Sequence, residues 1–223
     1  MQPITDAQFV AMPGLEEWRV LRHAAEATFV APTFTDAVRF VNSVIDAWAA
    51  SGYAGDVDLR PDGSVRILLA SAHRFSISDT DAVAAREISR IAGSHGLSSC
   101  QATLTRVEIA IDAMDIGAVM PFWRAILGYI NEPSGNSTES VAALIDPAGI
   151  GPSVWFQQMD HPRPQRNRVH VDVTVAHDEA QARMDAALAA GGMLLNDAEA
   201  KAFWVLSDPE GNEACICTWQ DRD

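Results

Sequence analysis

The sequence predicts an α+β protein of two domains, at residues 1–96 and residues 103–223. In the first domain, apolar residues at helical spacing lie between short apolar runs, which indicates helices and strands in mixed order. The second domain contains an internal repeat, in which a strand, a helix and three further strands occur twice. The chain has 223 residues, 48% of them hydrophobic and 21% charged, which is the composition of globular domains with a buried core.

The clearest helix of the first domain is predicted within residues 33–52. Either Thr33 or Thr35 can cap its start, because a threonine hydroxyl accepts a hydrogen bond from a free backbone N–H. Gly52 lies just past its end, where glycine commonly terminates a helix. The apolar stripe of this helix consists of Phe34, Ala37, Val38, Val41, Val44, Ile45 and Trp48.

Short strands are predicted on both sides of this helix. Residues 18–20 and 28–30 are apolar runs before it. After it, a Pro-Asp-Gly turn leads into a strand at residues 64–71, shortly before His73. Residues 78–81 (SDTD) are typical of a capping box and begin another helix. His73 is either a catalytic group at a strand end or a polar residue where the sheet meets solvent.

The internal repeat follows a short linker at residues 97–102. Residues 106–111 (RVEIAI) parallel residues 168–173 (RVHVDV), and residues 144–149 (LIDPAG) parallel residues 206–211 (LSDPEG). The repeat therefore predicts two β-α-β-β-β units.

The helices of the two units are predicted at residues 116–127 and 179–190, and each ends at glycine. Pro121 lies inside the first of them, where it removes one backbone hydrogen bond at a cost of about 3 kcal/mol. We therefore expect the first turns of that helix to kink or to break down.

Charge and cysteine content exclude several classes of protein. The formal net charge is −14 at pH 7, and a field of this sign repels nucleic acids and anionic membranes. No apolar run is long enough to span a membrane, and no signal peptide is expected at the N-terminus. The three cysteines, Cys100, Cys215 and Cys217, are too few for a disulfide framework and favour a reducing cytoplasm.

Three segments of the second domain carry a family resemblance. Residues 122–129 (FWRAILGY), 167–172 (NRVHVD) and 208–213 (DPEGNE) resemble the vicinal-oxygen-chelate superfamily, which contains glyoxalases and bleomycin-resistance proteins. The resemblance extends over residues 103–219. It implies that the two units lie side by side as an open, cupped sheet. In metal enzymes of that superfamily, four inward side chains from the first and last strands of both units hold a divalent ion.

The four ligand positions of that superfamily are occupied in this sequence by side chains of different types. The resemblance assigns the first-strand positions to Glu108 and His170, and the last-strand positions to Trp155 and Cys215. Gln157 would share the face of Trp155. Glu108, His170 and Cys215 are candidate metal ligands, but an indole binds no metal, so we do not expect an intact oxygen-rich site.

Three alternatives remain open for these five residues. They line a metal-free pocket for a small molecule, they hold a divalent ion, or Glu108 and His170 form a satisfied polar pair with no ligand. The residue types favour the metal-free pocket, with no cofactor. In that interpretation His170 is the acid–base or hydrogen-bonding centre, Glu108 is its partner and Trp155 is a stacking wall.

The first domain resembles pterin-4a-carbinolamine dehydratase, on residues 12–20, the helix at 37–41 and the passage from strand to helix at 65–81. The resemblance implies a small sheet with helices on one face, often in a dimer or tetramer. It also implies cofactor-free dehydration of a 4a-hydroxytetrahydropterin by histidines. His73 matches the histidine that ends the central strand in that family.

The rest of that family's active site is absent from the sequence. Gly55, Asp56 and Val57 replace its His-His-Pro segment, and only Asp56 offers an alternative proton acceptor. The resemblance therefore indicates a degenerate dehydratase domain that serves ligand binding or dimerisation.

Together these observations predict a homo-oligomeric protein that binds or transforms a small cyclic or aromatic metabolite in the glyoxalase-like cup. The alternatives are an active 4a-hydroxytetrahydrobiopterin dehydratase (a lyase) that uses His73, a glyoxalase-type lyase or isomerase, and a non-catalytic resistance or sequestration protein.

Overall fold

The computed structural model describes residues 2–22, 24–69, 77–101, 104–132, 142–162 and 169–221. The chain divides into two units, Met1–Arg106 and Val107–Asp223. Both contain helices and strands in mixed order, so the predicted α+β class is confirmed. In the part of the chain that the structure describes, no helix has the length and hydropathy of a membrane span.

The first unit contains seven strands and three helices among its described residues. In chain order, they are β1 (Pro3–Ile4), α1 (Asp6–Val10), β2 (Arg19–Leu21), β3 (Ala24–Val30), α2 (Phe34–Ser51), β4 (Asp56–Leu59), β5 (Ser64–Leu69), β6 (Ile77–Ser78), α3 (Asp79–Ser94) and β7 (Ser98–Ser99). The main sheet is antiparallel with the strand order β2-β3-β5-β4, and β7 also pairs with β3. The short strands β1 and β6 form a separate antiparallel pair.

The two long helices of this unit begin and end as the sequence predicts. The Thr33 hydroxyl accepts a hydrogen bond from the backbone N–H of Asp36 at the start of α2, and Gly52 ends α2 in the left-handed conformation, with φ 70°. Ser78 and Asp81 form a reciprocal capping box at the start of α3. Both helices contribute apolar side chains to one core together with β3 and β5, and this core contains Phe29, Phe40, Val44, Val65, Ile67, Ile88 and Ile91.

The described part of the segment predicted as a linker at residues 97–102 contributes a short strand to the sheet of the first unit. Ser98 and Ser99 pair with the end of β3, and the backbone N–H of Cys100 donates to Thr28. The prediction failed because small polar residues suit a short edge strand as well as a loop, and only a long-range contact distinguishes the two.

A buried carboxylate, that of Glu26, lies on β3. Glu26 is 1% exposed and forms ion pairs with Arg66 Nη2 at 2.9 Å and with Arg106 Nε at 2.7 Å. The first unit therefore extends to Arg106, whose guanidinium neutralises a charge on β3.

The second unit consists of two modules with the same order of elements. The first module is β8 (Glu108–Ala113), α4 (Ile116–Leu127), β9 (Ile130–Asn131), β10 (Ala143–Ile145) and β11 (Ser153–Gln158). The second is β12 (Val171–Thr174), α5 (Ala180–Ala189), β13 (Met193–Asn196), β14 (Phe203–Ser207) and β15 (Glu213–Cys217). The predicted pair of β-α-β-β-β units is confirmed.

Each module forms its own four-stranded sheet, with strand orders β8-β11-β10-β9 and β12-β15-β14-β13. The first and last strands of a module run parallel, and the other neighbours are antiparallel. The helices of both modules contribute to one apolar core together with alternate strand residues, including Ile111, Val119, Phe122, Ile126, Leu144, Phe156, Leu206 and Ile216.

Helix α4 runs unbroken through Pro121, so the predicted breakdown of its first turns is wrong. Asp115 caps its start, and Gly128 ends it in the left-handed conformation. Phe122 and Trp123, directly after the proline, are 0% and 3% exposed. The free energy gained by burying these two large side chains offsets the loss of the backbone hydrogen bond that the proline cannot donate.

Candidate functional site

The strands of the second unit separate apolar from polar side chains by alternation. Along β8, Ile109, Ile111 and Ala113 point towards the core, so Glu108 and Asp112 lie on the opposite face of the sheet. The parallel register aligns Glu108 with Ser153, Ala110 with Trp155 and Asp112 with Gln157. The predicted residues of the first module thus share one face of their sheet, the face turned away from the helices.

The second module brings together three side chains that carry a nitrogen, an oxygen and a sulfur donor atom. His170 directly precedes β12, and its Nε2 lies 3.2 Å from Oδ1 of Asp172. Asp172 is aligned with Cys215 on the neighbouring strand β15. One ligand atom of each residue lies within 4.8 Å of the other two. The His170 and Asp172 side chains are 54% and 60% exposed, whereas Cys215 is 6% exposed.

The thiol of Cys215 is held in its neutral form. Its pKa is raised to about 12, first by burial, then by the negative charge of Asp172 and by a hydrogen bond to that carboxylate. At neutral pH the thiol therefore donates to Asp172 and is a poor nucleophile, because the thiolate is the reactive form.

A carboxylate beside His170 is that of Asp172, and the predicted partnership of His170 with Glu108 stays a prediction. Glu108 lies on β8 in the other sheet, where Ser153 Oγ donates to its Oε1 at 3.5 Å. Asp172 is not among the predicted site residues, because the superfamily resemblance concerns four ligand positions and Asp172 occupies none of them. The signal was present, since residues two apart on a strand share a face.

A cleft of about 600 Å³ lies next to His170, along β8 and the start of β12. Among the residues that the structure describes, its walls contain His170 but none of Glu108, Trp155, Gln157 and Cys215. The lining residues are Ile109, Ala110, Ile111, Asp112, Met114, Trp123, Met159, Pro162, Val169, His170, Val171, Glu210, Gly211, Asn212 and Glu213. The aromatic side chain in this wall is Trp123, not Trp155.

The candidate site residues of the first unit are His73 and Asp56. His73 falls within residues 70–76, outside the described part of the chain. Asp56 is the exposed first residue of β4, aligned with Leu68 of β5. Nearby, the Tyr53 hydroxyl donates to Asp81 at 2.6 Å. Burial, then the hydrogen bond and charge of Asp81, and then the charge of Asp56 raise the pKa of Tyr53.

Comparison with known proteins gives a family match for the second unit. Residues 108–217 match a protein-family model described as a glyoxalase-like domain. These residues form a glyoxalase-like domain. The match begins at β8 and ends at β15, so it contains all ten elements of the two modules. No curated protein matches the chain. The resemblance of the first unit to the dehydratases stays a prediction.

Several solved structures are similar to about half of the chain. A glyoxalase/bleomycin resistance protein from Albidiferax ferrireducens T118 is 18% identical, with 50% of this chain and 95% of that chain covered and a TM-score of 0.38. A glyoxalase/bleomycin resistance protein/dioxygenase family enzyme from Burkholderia phytofirmans PsJN is 19% identical, with 50% and 95% covered and a TM-score of 0.41. The fosfomycin resistance protein FosX from Listeria monocytogenes is 13% identical, with 51% and 89% covered and a TM-score of 0.40.

The divalent ion implied by the superfamily resemblance fits these residues only in part. The site would draw ligands from both modules, but the last-strand position of the first module holds Trp155, which offers no metal-binding atom. The donors that lie near one another, His170, Asp172 and Cys215, all belong to the second module. The oxygen-rich, two-module arrangement therefore does not fit the glyoxalase-like domain of this protein.

Proposed function

We propose that the glyoxalase-like domain binds a small organic molecule, cyclic or aromatic in character, in the cleft beside His170. The observation that carries this proposal is the cleft itself, because about 600 Å³ is within the range of small-molecule sites. Its walls combine apolar side chains such as Ile109 and Val171 with the Trp123 ring and a few polar groups, which is the usual composition of such sites.

His170 is the proposed polar centre of the site. The contact between its Nε2 and Asp172 orients the ring and leaves Nδ1 for a ligand. An imidazole held in this way can donate or accept a hydrogen bond, or transfer a proton to or from a ligand. Glu108, Trp155 and Gln157 are proposed as further contacts for a ligand that extends over the face of the first sheet.

A substitution that fills the cleft tests ligand binding. Ala110 lines the cleft, so Ala110→Trp occupies the space that a ligand needs. Thr174→Trp is the matched control, because Thr174 is exposed at the other end of β12 and outside the lining. The measurement is thermal stabilisation of each variant by a panel of cyclic and aromatic metabolites, with isothermal titration of any that stabilise the unaltered protein.

The expected result is stabilisation of the unaltered protein and of Thr174→Trp, and loss of this effect in Ala110→Trp. A ligand at 100 times its Kd adds about 2.7 kcal/mol to the free energy of unfolding. Equal stabilisation of both variants would show that the ligand binds elsewhere and would refute the proposal for this cleft.

Catalysis and sequestration are separated by the fate of a bound ligand. For a lyase or isomerase, mass spectrometry detects product, and His170→Ala lowers kcat while the ligand still binds. For a resistance or sequestration protein, the ligand is recovered unchanged. The exposure of His170 at the cleft favours the enzyme, because a proton-transferring group must reach its substrate.

The first unit is proposed to serve dimerisation or the binding of a pterin, with His73 and Asp56 as its candidate site residues. A dehydratase assay with 4a-hydroxytetrahydrobiopterin and a His73→Ala variant tests the alternative in which this unit is an active lyase. Light scattering of the purified protein tests the proposed homodimer. The proposed cytoplasmic location depends on the sparse cysteines alone.

A further inference from the structure

We propose that His170, Asp172 and Cys215 bind a thiophilic divalent ion, such as Zn²⁺ or Co²⁺, within the second module alone. This ligand set differs from one shared between the two modules. The inference goes beyond the proposed function, since the ion either binds or does not, whether or not the cleft accepts an organic molecule.

The distances between the donor atoms support this site. The three donors are an imidazole nitrogen, a carboxylate oxygen and a sulfur, all within 4.8 Å of one another. Ligand atoms at about 2.0–2.3 Å from a tetrahedral zinc ion lie roughly 3.3–3.7 Å apart. The 3.2 Å between His170 Nε2 and Asp172 Oδ1 is already close to this separation, so a small shift of side chains would complete the set.

The backbone fixes these donors in a suitable arrangement. His170 and Asp172 are two residues apart and share a face of the sheet at β12, while Cys215 lies directly across from Asp172 on the parallel strand β15. Because β15 is an interior strand of its sheet, the sulfur is anchored from both sides.

One side of the cluster remains accessible. Cys215 is buried, whereas His170 and Asp172 are more than half exposed, and His170 also lines the cleft. Three protein ligands with an accessible fourth position are the usual arrangement of catalytic zinc sites. An ion bound here would lie at the wall of the proposed ligand cleft.

The chemistry of the donors selects the ion. Sulfur and imidazole nitrogen favour zinc and cobalt, whereas magnesium and calcium require oxygen ligands. One oxygen donor from Asp172 is too few for magnesium or calcium. Glu108, which would supply a second oxygen in a two-module site, approaches Ser153 in the other sheet.

The test uses the full-length, untagged protein, stripped of metal and titrated with Co²⁺. The expected result is one Co²⁺ per chain, with release of the Cys215 thiol proton to solvent and a thiolate-to-cobalt charge-transfer band that Zn²⁺ abolishes by displacement. Cys215→Ser loses this band, and Cys217→Ser retains it. Cys217 is the matched control because it is a buried cysteine two residues further along the same strand.

Two carboxylate variants distinguish the ligand sets. Asp172→Asn lowers the Co²⁺ affinity at least about tenfold, whereas Glu108→Gln leaves it unchanged. Asp172 is exposed, so its substitution does not disturb the core, and circular dichroism verifies the fold of each variant. The proposal is overturned if the unaltered protein shows no charge-transfer band, or if Glu108→Gln removes the band while Asp172→Asn keeps it.

Discussion

The Trp123 indole Nε1–H donates a 2.9 Å hydrogen bond to Oδ2 of Asp208, although the two residues are 85 positions apart. Both side chains are buried, at 3% and 0% exposure. Trp123 belongs to α4 of the first module, and Asp208 follows β14 of the second. The two modules are therefore joined by a buried polar contact as well as by their common apolar core.

Removal of the Asp208 carboxylate should destabilise the glyoxalase-like domain strongly. Asp208 also accepts hydrogen bonds from the backbone N–H groups of Glu210 and Asn212, so Asp208→Ala leaves several donors without an acceptor. We expect a loss of about 3 kcal/mol in the free energy of unfolding, measured by urea titration with tryptophan fluorescence.

The control for this variant is Asp146→Ala, in the corresponding turn of the first module. Asp146 is only partly buried and accepts from the backbone of its own turn, at Ala148, Ile150 and Gly151. We expect it to cost about 1 kcal/mol. Equal losses from the two substitutions would contradict the role of Asp208 in joining the modules.

Glu210 should anchor the start of α4. Its two carboxylate oxygens accept from the backbone N–H groups of Met114 and Asp115, at 2.8 and 2.6 Å. Glu210→Ala should increase hydrogen exchange at residues 114–118 and cost about 1–2 kcal/mol, because two backbone donors lose a charged acceptor. Substitution of the exposed Glu199 by Ala should leave this exchange unchanged, and unaltered protection in Glu210→Ala would rule out the anchoring role.

The buried carboxylate of Glu26 should contribute far more to stability than an exposed carboxylate does. Glu26→Ala leaves the guanidinium groups of Arg66 and Arg106 without their common partner, at an expected cost of about 3–5 kcal/mol. Glu87→Ala breaks the exposed pair with Arg90, at 2.6 Å, and should cost less than about 1 kcal/mol. Urea unfolding of both variants measures the difference, and similar costs would be inconsistent with a buried ion cluster.

Tyr53 should make the protein less stable at alkaline pH. Its pKa in the folded protein is raised above the usual value of 10.0, first by burial and then by Asp81. Above about pH 10 the unfolded chain therefore loses the phenolic proton while the folded protein keeps it, so the free energy of unfolding falls as pH rises. The expected slope from this group is about 1.4 kcal/mol per pH unit.

Urea unfolding between pH 9 and 11 measures this effect. Tyr53→Phe should remove part of the slope. Tyr129→Phe serves as the comparison, because burial also raises the pKa of Tyr129, with a smaller effect from the charge of Asp146. A slope that survives in Tyr53→Phe at full size would assign the alkaline loss to other groups.

Local patterns in the sequence were sufficient to predict most of the second unit. The bounds of α4 were predicted correctly at residues 116–127, with Gly128 at its end, because a glycine that terminates a helix is encoded locally. The internal repeat predicted both modules, because the corresponding segments of the two modules have similar sequences. The pairing of Ser99 with Phe29 was not predictable, since it joins residues 70 positions apart through a short polar strand.

The candidate site was only partly predictable. His170 and Cys215 were both singled out, and the structure brings them together. Asp172 was not, because its position beside Cys215 depends on the register of β12 against β15, which the sequence of either strand does not contain. The cleft along β8 and β12 is likewise a product of how the strands assemble.

The parallel pairing of first and last strands has a consequence for synthesis on the ribosome. In each module the last strand is interior to its sheet. When a nascent chain has been translated only as far as β14, the second sheet therefore consists of the β13–β14 hairpin, and β12 has no strand to pair with. The sheet of the first module can be completed by β11 once residue 158 has emerged from the ribosome. The hydrogen bond from the Trp123 indole can form only after Asp208 has been translated.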